Sequence, residues 1–220
     1  MTDHAQITEE LSTLDTSHLS DALDKIGING QCAGLLPLDR SVRLVGRAFT
    51  VRYVPVGDDA GTVGDYIDDL EPGTVVVLDN AGRLDATVWG DLLTATASHR
   101  GISGTVIDGV CRDSDCALDL KYPVFSRSRW MRTGKDRVRV DGYNLPVSVG
   151  GVRVEQGDWL VGDADGVVSV PVRRVEEIID IAAGIRDTED RIRTAVRSGQ
   201  TLVEARRAHG YHALQTRERN

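Results

Sequence analysis

The chain lacks what a membrane, a nucleic acid or an oxidising compartment would require. No run of about 18 apolar residues occurs, which excludes a helix that spans a bilayer. Positive charge is in deficit: 26 Lys and Arg stand against 34 Asp and Glu, a net charge of −8. A nucleic-acid face needs clustered basic residues, so none is expected. The opening MTDHAQITEELSTLD has neither the basic nor the apolar stretch of a secretory leader, and a cytoplasmic protein is expected. Cysteine is scarce. Cys32, Cys111 and Cys116 form an odd set, which argues for reduced thiols rather than disulfides. They are too isolated for a zinc site and are expected to be small buried hydrophobes. Among His4, His18, His99, His209 and His212, only His209-x-x-His212 has even a weak metal spacing. There is no P-loop, no GxSxG and no dinucleotide fingerprint: Gly101 and Gly104 bracket a strand start instead of following a strand.

What is present reads as one α/β domain over 1–220. TSHLSDALDKIG, residues 16–27, predicts a short helix capped by Thr16 or Ser17 and ended by Gly27, with Leu19, Ala22, Leu23 and Ile26 on one face. Residues 42–54 predict a bent strand or a hairpin around Gly46. PGTVVVLDN, residues 72–80, is a turn and then a strand apolar on both faces, as a parallel sheet requires. A helix from about Trp89 to Gly101 follows, then the strand GTVID, residues 104–108, which is expected to turn at Asp108-Gly109. This is a βαβ unit with parallel strands. SDCALDLK suggests a short helix and YPVFS a strand; residues 137–170 look all-β, with turns at Gly150-Gly151 and Asp165-Gly166. From about 171 a C-terminal helical arm is expected. Its apolar stripe is Val175, Ile178, Ile179, Ala182, Ile185 and Ile192; Glu189 and Arg193 form an i,i+4 pair, and Gly199 is a break before a second helix near 201–208. The closing QTRERN is expected to fray.

Ligands of βαβ units collect where strands end and the next helix begins. Two loops meet that description: Trp89-Gly90-Asp91-Leu92-Leu93, and Asp108 to Asp113 with Arg112-Asp113 at its end. A helix start near Gly90 offers unpaired N–H groups and a favourable dipole to an anion, and Gly90 lets the anion approach closely. Arg112 can clamp a carboxylate with its fork. Asp113 is a hard oxygen donor of the kind that holds Mg²⁺ with retained waters. Asp91 can position or deprotonate a water. Spacing alone favours a plainer account, in which Asp91 complements the helix dipole, Arg112 and Asp113 solvate a loop, and His99 complements a helix C-terminus.

Several blocks in order shift that balance. TSHLSDALDKIG, GRAFTV, EPGTVVVLDN, WGDLLTATASHRGISGTVIDGVCRDSD, YPVF and GGVRVEQGDWLVGDADGVVSVP resemble the family that contains the regulator of ribonuclease E activity A and the class II 4-hydroxy-4-methyl-2-oxoglutarate / 4-carboxy-4-hydroxy-2-oxoadipate aldolases. The aldolase branch is marked by an Asp, twenty intervening residues and Arg-Asp, and Asp91 and Arg112-Asp113 keep that spacing here. The resemblance implies a swivelling β/β/α fold and a trimer or dimer of trimers with its sites at subunit interfaces. It implies Asp113 as ligand of Mg²⁺ or Mn²⁺ and Arg112 as the group that binds the pyruvyl moiety and steadies its enolate. It gives Asp91 a metal-bound water to hold, and the Leu92 and Leu93 amides the substrate carboxylate. Glu189 is the nearest candidate for a glutamate contributed by a neighbouring subunit.

The implied reaction is a retro-aldol cleavage of a 4-hydroxy-2-oxo acid to pyruvate and a second oxo acid, with oxaloacetate decarboxylation as a side activity. Lys25, Lys121 and Lys135 lie outside both loops, which argues against a Schiff-base mechanism. The rival from another class is a non-catalytic protein that docks on ribonuclease E and restrains it, its acidity suiting a basic partner.

Overall fold

The structure is a computed structural model, and it describes residues 4–58 and 61–211. His212 and the QTRERN tail lie outside the described residues. In chain order the elements are α1 (His4–Ser12), α2 (Thr16–Lys25), β1 (Gln31–Cys32), β2 (Leu36–Pro37), β3 (Leu44–Pro55), β4 (Thr74–Asp79), α3 (Asp91–His99), β5 (Gly104–Cys111) and α4 (Ser114–Asp119). They continue with β6 (Val124–Arg129), β7 (Val138–Tyr143), β8 (Val147–Val149), β9 (Val152–Val154), β10 (Trp159–Asp163), β11 (Gly166–Val170), α5 (Val175–Arg197) and α6 (Leu202–Ala208). Among the described residues no helix is long and apolar enough to cross a membrane. Two compact units emerge. One comprises the described parts of Met1–Gly30 and Arg173–Asn220; the other is Gln31–Val172.

The second unit is built on a nine-stranded mixed sheet in the order β1-β11-β10-β3-β4-β5-β6-β2, with β7 also paired to β3. Its centre, β3-β4-β5-β6, is parallel. Val75, Val76, Val77 and Leu78 of β4 are all fully buried, because both faces of the sheet are covered: one by a core containing Trp89, Tyr122 and Ile102, the other by a core containing Phe125 and the β8–β9 hairpin. The expected βαβ unit is β4-α3-β5, its strands adjacent and parallel. The all-β reading of 137–170 holds as β7 to β11.

Two expectations in this unit need correction. Residues 42–54 form no hairpin. β3 is one strand of 12 residues that changes partners along its length, from β10 to β4 to β7, with an irregularity at Arg52/Tyr53. Gly46 is needed there for closeness, since a Cβ would collide with the Gly73 carbonyl oxygen. Nor do Asp108 and Gly109 turn. β5 runs through them to Cys111, buried along its whole length, with a register shift between Ile107 and Val110. The carboxylate of Asp108 explains this. Its Oδ1 accepts from Arg127 Nε on β6, and its Oδ2 accepts from the Gly150 N–H at 2.9 Å. A buried Asp-Gly with both oxygens committed belongs to the sheet, and the turn propensity of the dipeptide is overridden.

In the helical unit, α5 buries all six residues of the expected stripe and Thr188 besides. Helix α2 packs on it through an apolar face that includes Leu19 and Leu23. The α2 cap is Asp15, one residue before the expected Thr16 or Ser17; its N–H donates to His18 Nδ1 at 3.3 Å. Glu189 accepts from Arg193 at 2.7 Å and lies 3.5 Å from His18 Nε2.

Candidate active site

The site grows from the ends of β4 and β5. The chain leaving β4 makes a loop, and the Trp89 carbonyl accepts the Arg112 N–H at 3.0 Å. That bond ties the start of α3 to the end of β5. Trp89 is fixed from both sides: its indole N–H donates to Thr94 Oγ1 at 2.8 Å, and its ring stacks on Tyr122 at 6.3 Å between centroids. Helix α3 begins at Asp91, two residues later than expected, with Gly90 as its N-cap in extended backbone. Gly90 carries no capping side chain, and the N–H groups of the first turn find other partners. Asp91 N–H points to Asp113 Oδ2 at 3.4 Å, and Leu92 N–H donates to Asp91 Oδ1 at 2.8 Å. The Leu93 N–H has no acceptor among the described residues.

Asp113 is the most informative residue. It is the N-cap of α4, and aspartate is among the best residues for that role, yet its side chain makes no cap hydrogen bond. It stands in the left-handed region at φ +52, which few residues other than glycine occupy. Its carboxylate faces away from α4: Oδ2 lies 3.2 Å from Arg112 Nε and takes the Asp91 N–H. A Cβ on Gly90 would stand 2.8 Å from that same oxygen. Gly90, Asp91, Arg112 and Asp113 therefore meet at one point. The side chains of Arg112 and Asp113 are 39% and 41% exposed, so their mutual attraction alone stabilises the fold little.

A cleft of about 290 Å³ opens beside them. Gly90, Asp91, Leu92, Leu93 and Arg112 line it; Asp113 borders Arg112 and is not itself in the lining. Thr87, Val88 and Trp89 form its floor, and Thr133 and the segment Thr62 to Asp65 complete the wall. Sequence reasoning missed those wall residues. Thr133 arrives through an isolated bridge to Thr87, and 62–65 lies in a segment without regular periodicity, so no local signal marks either. The residues expected to act together do come together, with one difference: the Leu92 amide is occupied by Asp91, which leaves Leu93 as the open donor.

A model of the RraA-like family, described as Aldolase/RraA, matches residues 16–169. The chain belongs to the RraA-like family. Among its relatives, Protein DlpA of Legionella pneumophila is 38% identical over 208 residues, 93% of this RraA-like chain but 34% of that protein. The chain thus spans only about a third of that relative. A protein of Halalkalibacterium halodurans named "Putative 4-hydroxy-4-methyl-2-oxoglutarate aldolase" is 34% identical over 173 residues, 79% of this chain and 80% of that one. The crystal structure of Streptomyces coelicolor RraAS2, described as an unusual member of the RNase ES inhibitor RraA protein family, superposes with a TM-score of 0.79 at 26% identity, covering 86% of this chain and 96% of that one. The mixed α/β fold with C-terminal helices expected of the family is the one observed.

Proposed function

We propose that this chain is a divalent-metal-dependent lyase that cleaves a 4-hydroxy-2-oxo acid, of the 4-hydroxy-4-methyl-2-oxoglutarate type, to pyruvate and a second oxo acid. Oxaloacetate decarboxylation is a side activity of the same chemistry. The observation that carries the reading is the Asp113 carboxylate, turned away from the helix it heads and toward Arg112 and the start of α3. The aldolase names of relatives such as the Halalkalibacterium protein support it.

The donor set fits Mg²⁺ or Mn²⁺. Among the described residues no group of three His, Cys, Asp or Glu side chains could hold an ion, and Mg²⁺ is characteristically held by one or two carboxylates with waters. Asp113 would hold it, with Asp91 beside it, in the space that the missing Gly90 side chain leaves open. When bound, the ion supplies a Lewis acid that polarises the 2-oxo group. The chain's own residues do the rest. The Leu93 N–H at the positive end of α3 receives the substrate carboxylate. The guanidinium of Arg112 faces the 2-oxo oxygen and stabilises charge as the C3–C4 bond breaks and the pyruvate enolate forms. Asp91 takes up the C4 hydroxyl proton through a water. Buried Trp89 and Val88 keep solvent from the floor. Lys25, Lys121 and Lys135 are not among the lining residues, in keeping with a mechanism that needs no Schiff base.

A homotrimer or dimer of trimers in the cytoplasm completes the proposal. Exposed apolar residues in the segments leading to Thr87 and Thr133, namely Leu84, Trp130 and Met131, support such an assembly, as does Leu92, 79% exposed at the cleft. Glu189 of one copy would serve the site of another.

The test is pyruvate release coupled to lactate dehydrogenase, from 4-hydroxy-4-methyl-2-oxoglutarate and from oxaloacetate, each with Mg²⁺ and with EDTA. Metal-dependent release from the wild type is expected. Asp113→Ala should lower it at least about a hundredfold, with thermal unfolding little changed. Undiminished turnover in that variant would remove Asp113 from the metal. No release from either substrate would favour the second reading, a protein-binding regulator, which the RNase ES inhibitor family of the Streptomyces neighbour supports.

A further inference from the structure

Helix α3 carries the site on its first turn, yet it is lightly seated. Of its nine residues, Thr94 and Ala97 are the buried ones, and two small side chains anchor a helix less than an apolar stripe does. Thr94 is 1% exposed. Its hydroxyl makes two hydrogen bonds: Oγ1 accepts the Trp89 indole N–H at 2.8 Å and donates to the Gly90 carbonyl at 2.9 Å. A threonine that donates four residues back along its own helix is ordinary, and Thr96 does so to the Leu92 carbonyl at 2.8 Å. Thr94 differs in what its oxygen receives, which is the side chain that floors the cleft.

That indole is fixed to the sheet. The Trp89 ring is buried and lies within 8° of parallel to the ring of Tyr122. The Tyr122 hydroxyl is hydrogen-bonded at 2.9 Å to Thr105 Oγ1, near the start of β5. The main chain of Trp89 meets the end of the same strand, since its carbonyl accepts the Arg112 N–H at 3.0 Å. Thr105, Tyr122, Trp89, Thr94 and Gly90 thus form one path from β5 to the start of α3, and Arg112 branches from it at Trp89. Little slack exists where the path ends. The Asp91 N–H stands 3.4 Å from Asp113 Oδ2, and a Cβ on Gly90 would stand 3.1 Å from Arg112 Nε.

We infer that Thr94 is a positioning residue for the lyase reaction: its hydroxyl holds the first turn of α3 in register with Arg112 and Asp113, so that the Leu93 N–H, the guanidinium and the carboxylate meet one substrate together. This inference rests on the pyruvate-lyase reading and adds to it a residue outside the lining of the cleft. Thr94 touches no reacting atom. Without its hydroxyl the Trp89 N–H is left buried with no acceptor, a costly state that movement of a neighbouring group relieves. Trp89 is held by Tyr122 and by Arg112, so the group that moves is α3. A shift of its first turn separates the donor of the substrate carboxylate from the groups that face the 2-oxo oxygen, and a displacement of about 1 Å is enough to slow such a reaction strongly. Asp113 follows β5 and lies off this path, so its own place is unchanged.

The experiment compares Thr94→Val, Thr94→Ser, Trp89→Phe and Thr96→Val with the wild type, each as the full chain. Pyruvate release, Mn²⁺ binding and oxalate binding to the Mn²⁺-loaded protein are measured on each. Valine keeps the shape of threonine and loses both bonds. In Thr94→Val, kcat should fall about tenfold or more while KM changes by less than about threefold. Oxalate, a planar dianion like the pyruvate enolate, should bind about tenfold more weakly. Mn²⁺ affinity should stay within about twofold of the wild type, because the carboxylate that holds the ion has not moved. A merely structural role would lower the melting temperature and would not separate oxalate binding from Mn²⁺ binding. Thr94→Ser retains both bonds and should recover most of the rate. Thr96→Val removes a bond of the same kind and should leave the rate unchanged. Trp89→Phe keeps a ring against Tyr122 and removes the N–H; it carries the test if the valine variant does not fold, and the double variant should be no slower than the slower single one. Full rate in folded Thr94→Val, equal losses in Thr94→Val and Thr96→Val, parallel loss of Mn²⁺ and oxalate binding, or additive losses in the double variant each overturn this inference and leave the lyase reading standing. A wild type that releases no pyruvate overturns the lyase reading, and this inference with it.

Discussion

A methyl group at position 90 would sit 2.8 Å from Asp113 Oδ2 and 3.1 Å from Arg112 Nε. The backbone of Gly90 is extended, a conformation open to any residue, so space and not dihedral freedom demands glycine here. Gly90→Ala should therefore fold normally and lower pyruvate release at least about tenfold, because a displacement near 1 Å is costly to catalysis; steady-state kinetics beside a melting curve would check it. The cysteines give a second residue-level expectation. Cys116 is partly exposed while Cys32 and Cys111 are buried. Burial, reinforced by the nearby Asp108, pushes the Cys32 thiol up from 9.0 to about 12. An aromatic disulfide reagent should react with Cys116 in the native protein and with the other two only after unfolding. Between pH 9 and 12 the unfolded chain gives up the Cys32 proton and the native chain keeps it, so stability is fully present below pH 9 and is lost as pH rises toward 12. Urea midpoints at pH 8 and pH 10 should fall in that order, and a Cys32→Ser variant should show a smaller drop. At this scale the sequence was informative where a residue's chemistry is unusual for its place. Arg112-Asp113 after an apolar strand stands out by type; Thr62 and Thr133 do not, because threonine on a loop has no property that betrays its neighbours across the cleft.

At the scale of the element, periodicity identified helices α2 to α6 and the buried strands β4 and β5; it passed over α1, β1 and β2, and it misread the chain where a tertiary contact decided the outcome. Asp108-Gly109 has the composition of a turn. It stays in β5 because Arg127, nineteen residues on, and Gly150, forty-two residues on, supply both partners of its carboxylate. No window of sequence contains that information. The consequence is testable by urea denaturation. Asp108→Ala strands a guanidinium and a buried N–H, and should cost about 2–3 kcal/mol; Asp108→Asn keeps an acceptor for Gly150 and should cost less. A helix cap behaves more locally. Thr201 and Glu204 form a reciprocal capping box at the start of α6, with Thr201 Oγ1 accepting the Glu204 N–H at 3.3 Å and Glu204 accepting the Thr201 N–H at 3.0 Å.

For the whole molecule, the order of the chain and the grouping of its parts differ. The helical unit takes its first stretch of chain from before the sheet and its second from after it. Reading along the sequence gives a C-terminal arm; only the folded chain shows that α1 and α2 belong with it. The apolar stripe of α5 predicted that a partner exists, and the face of α2 predicted the same, but amphipathicity names no partner. Removing residues 173–220 should leave Leu19 and Leu23 of α2 without their cover. Proteolysis within 4–30 should then become fast, while the same sites resist cleavage in the intact chain.

The dihedral angle of Asp113 carries a last implication. A left-handed conformation costs an ordinary residue about 1 kcal/mol relative to glycine, and Asp113 also forgoes the capping bond its position offers. A library of variants sorted only for abundance in the cell would therefore enrich glycine at 113, and the same library sorted for growth on the substrate would purge it. The two selections should diverge most sharply at this codon, which makes it a place to read, from population frequencies alone, how much folding the chain surrenders to chemistry.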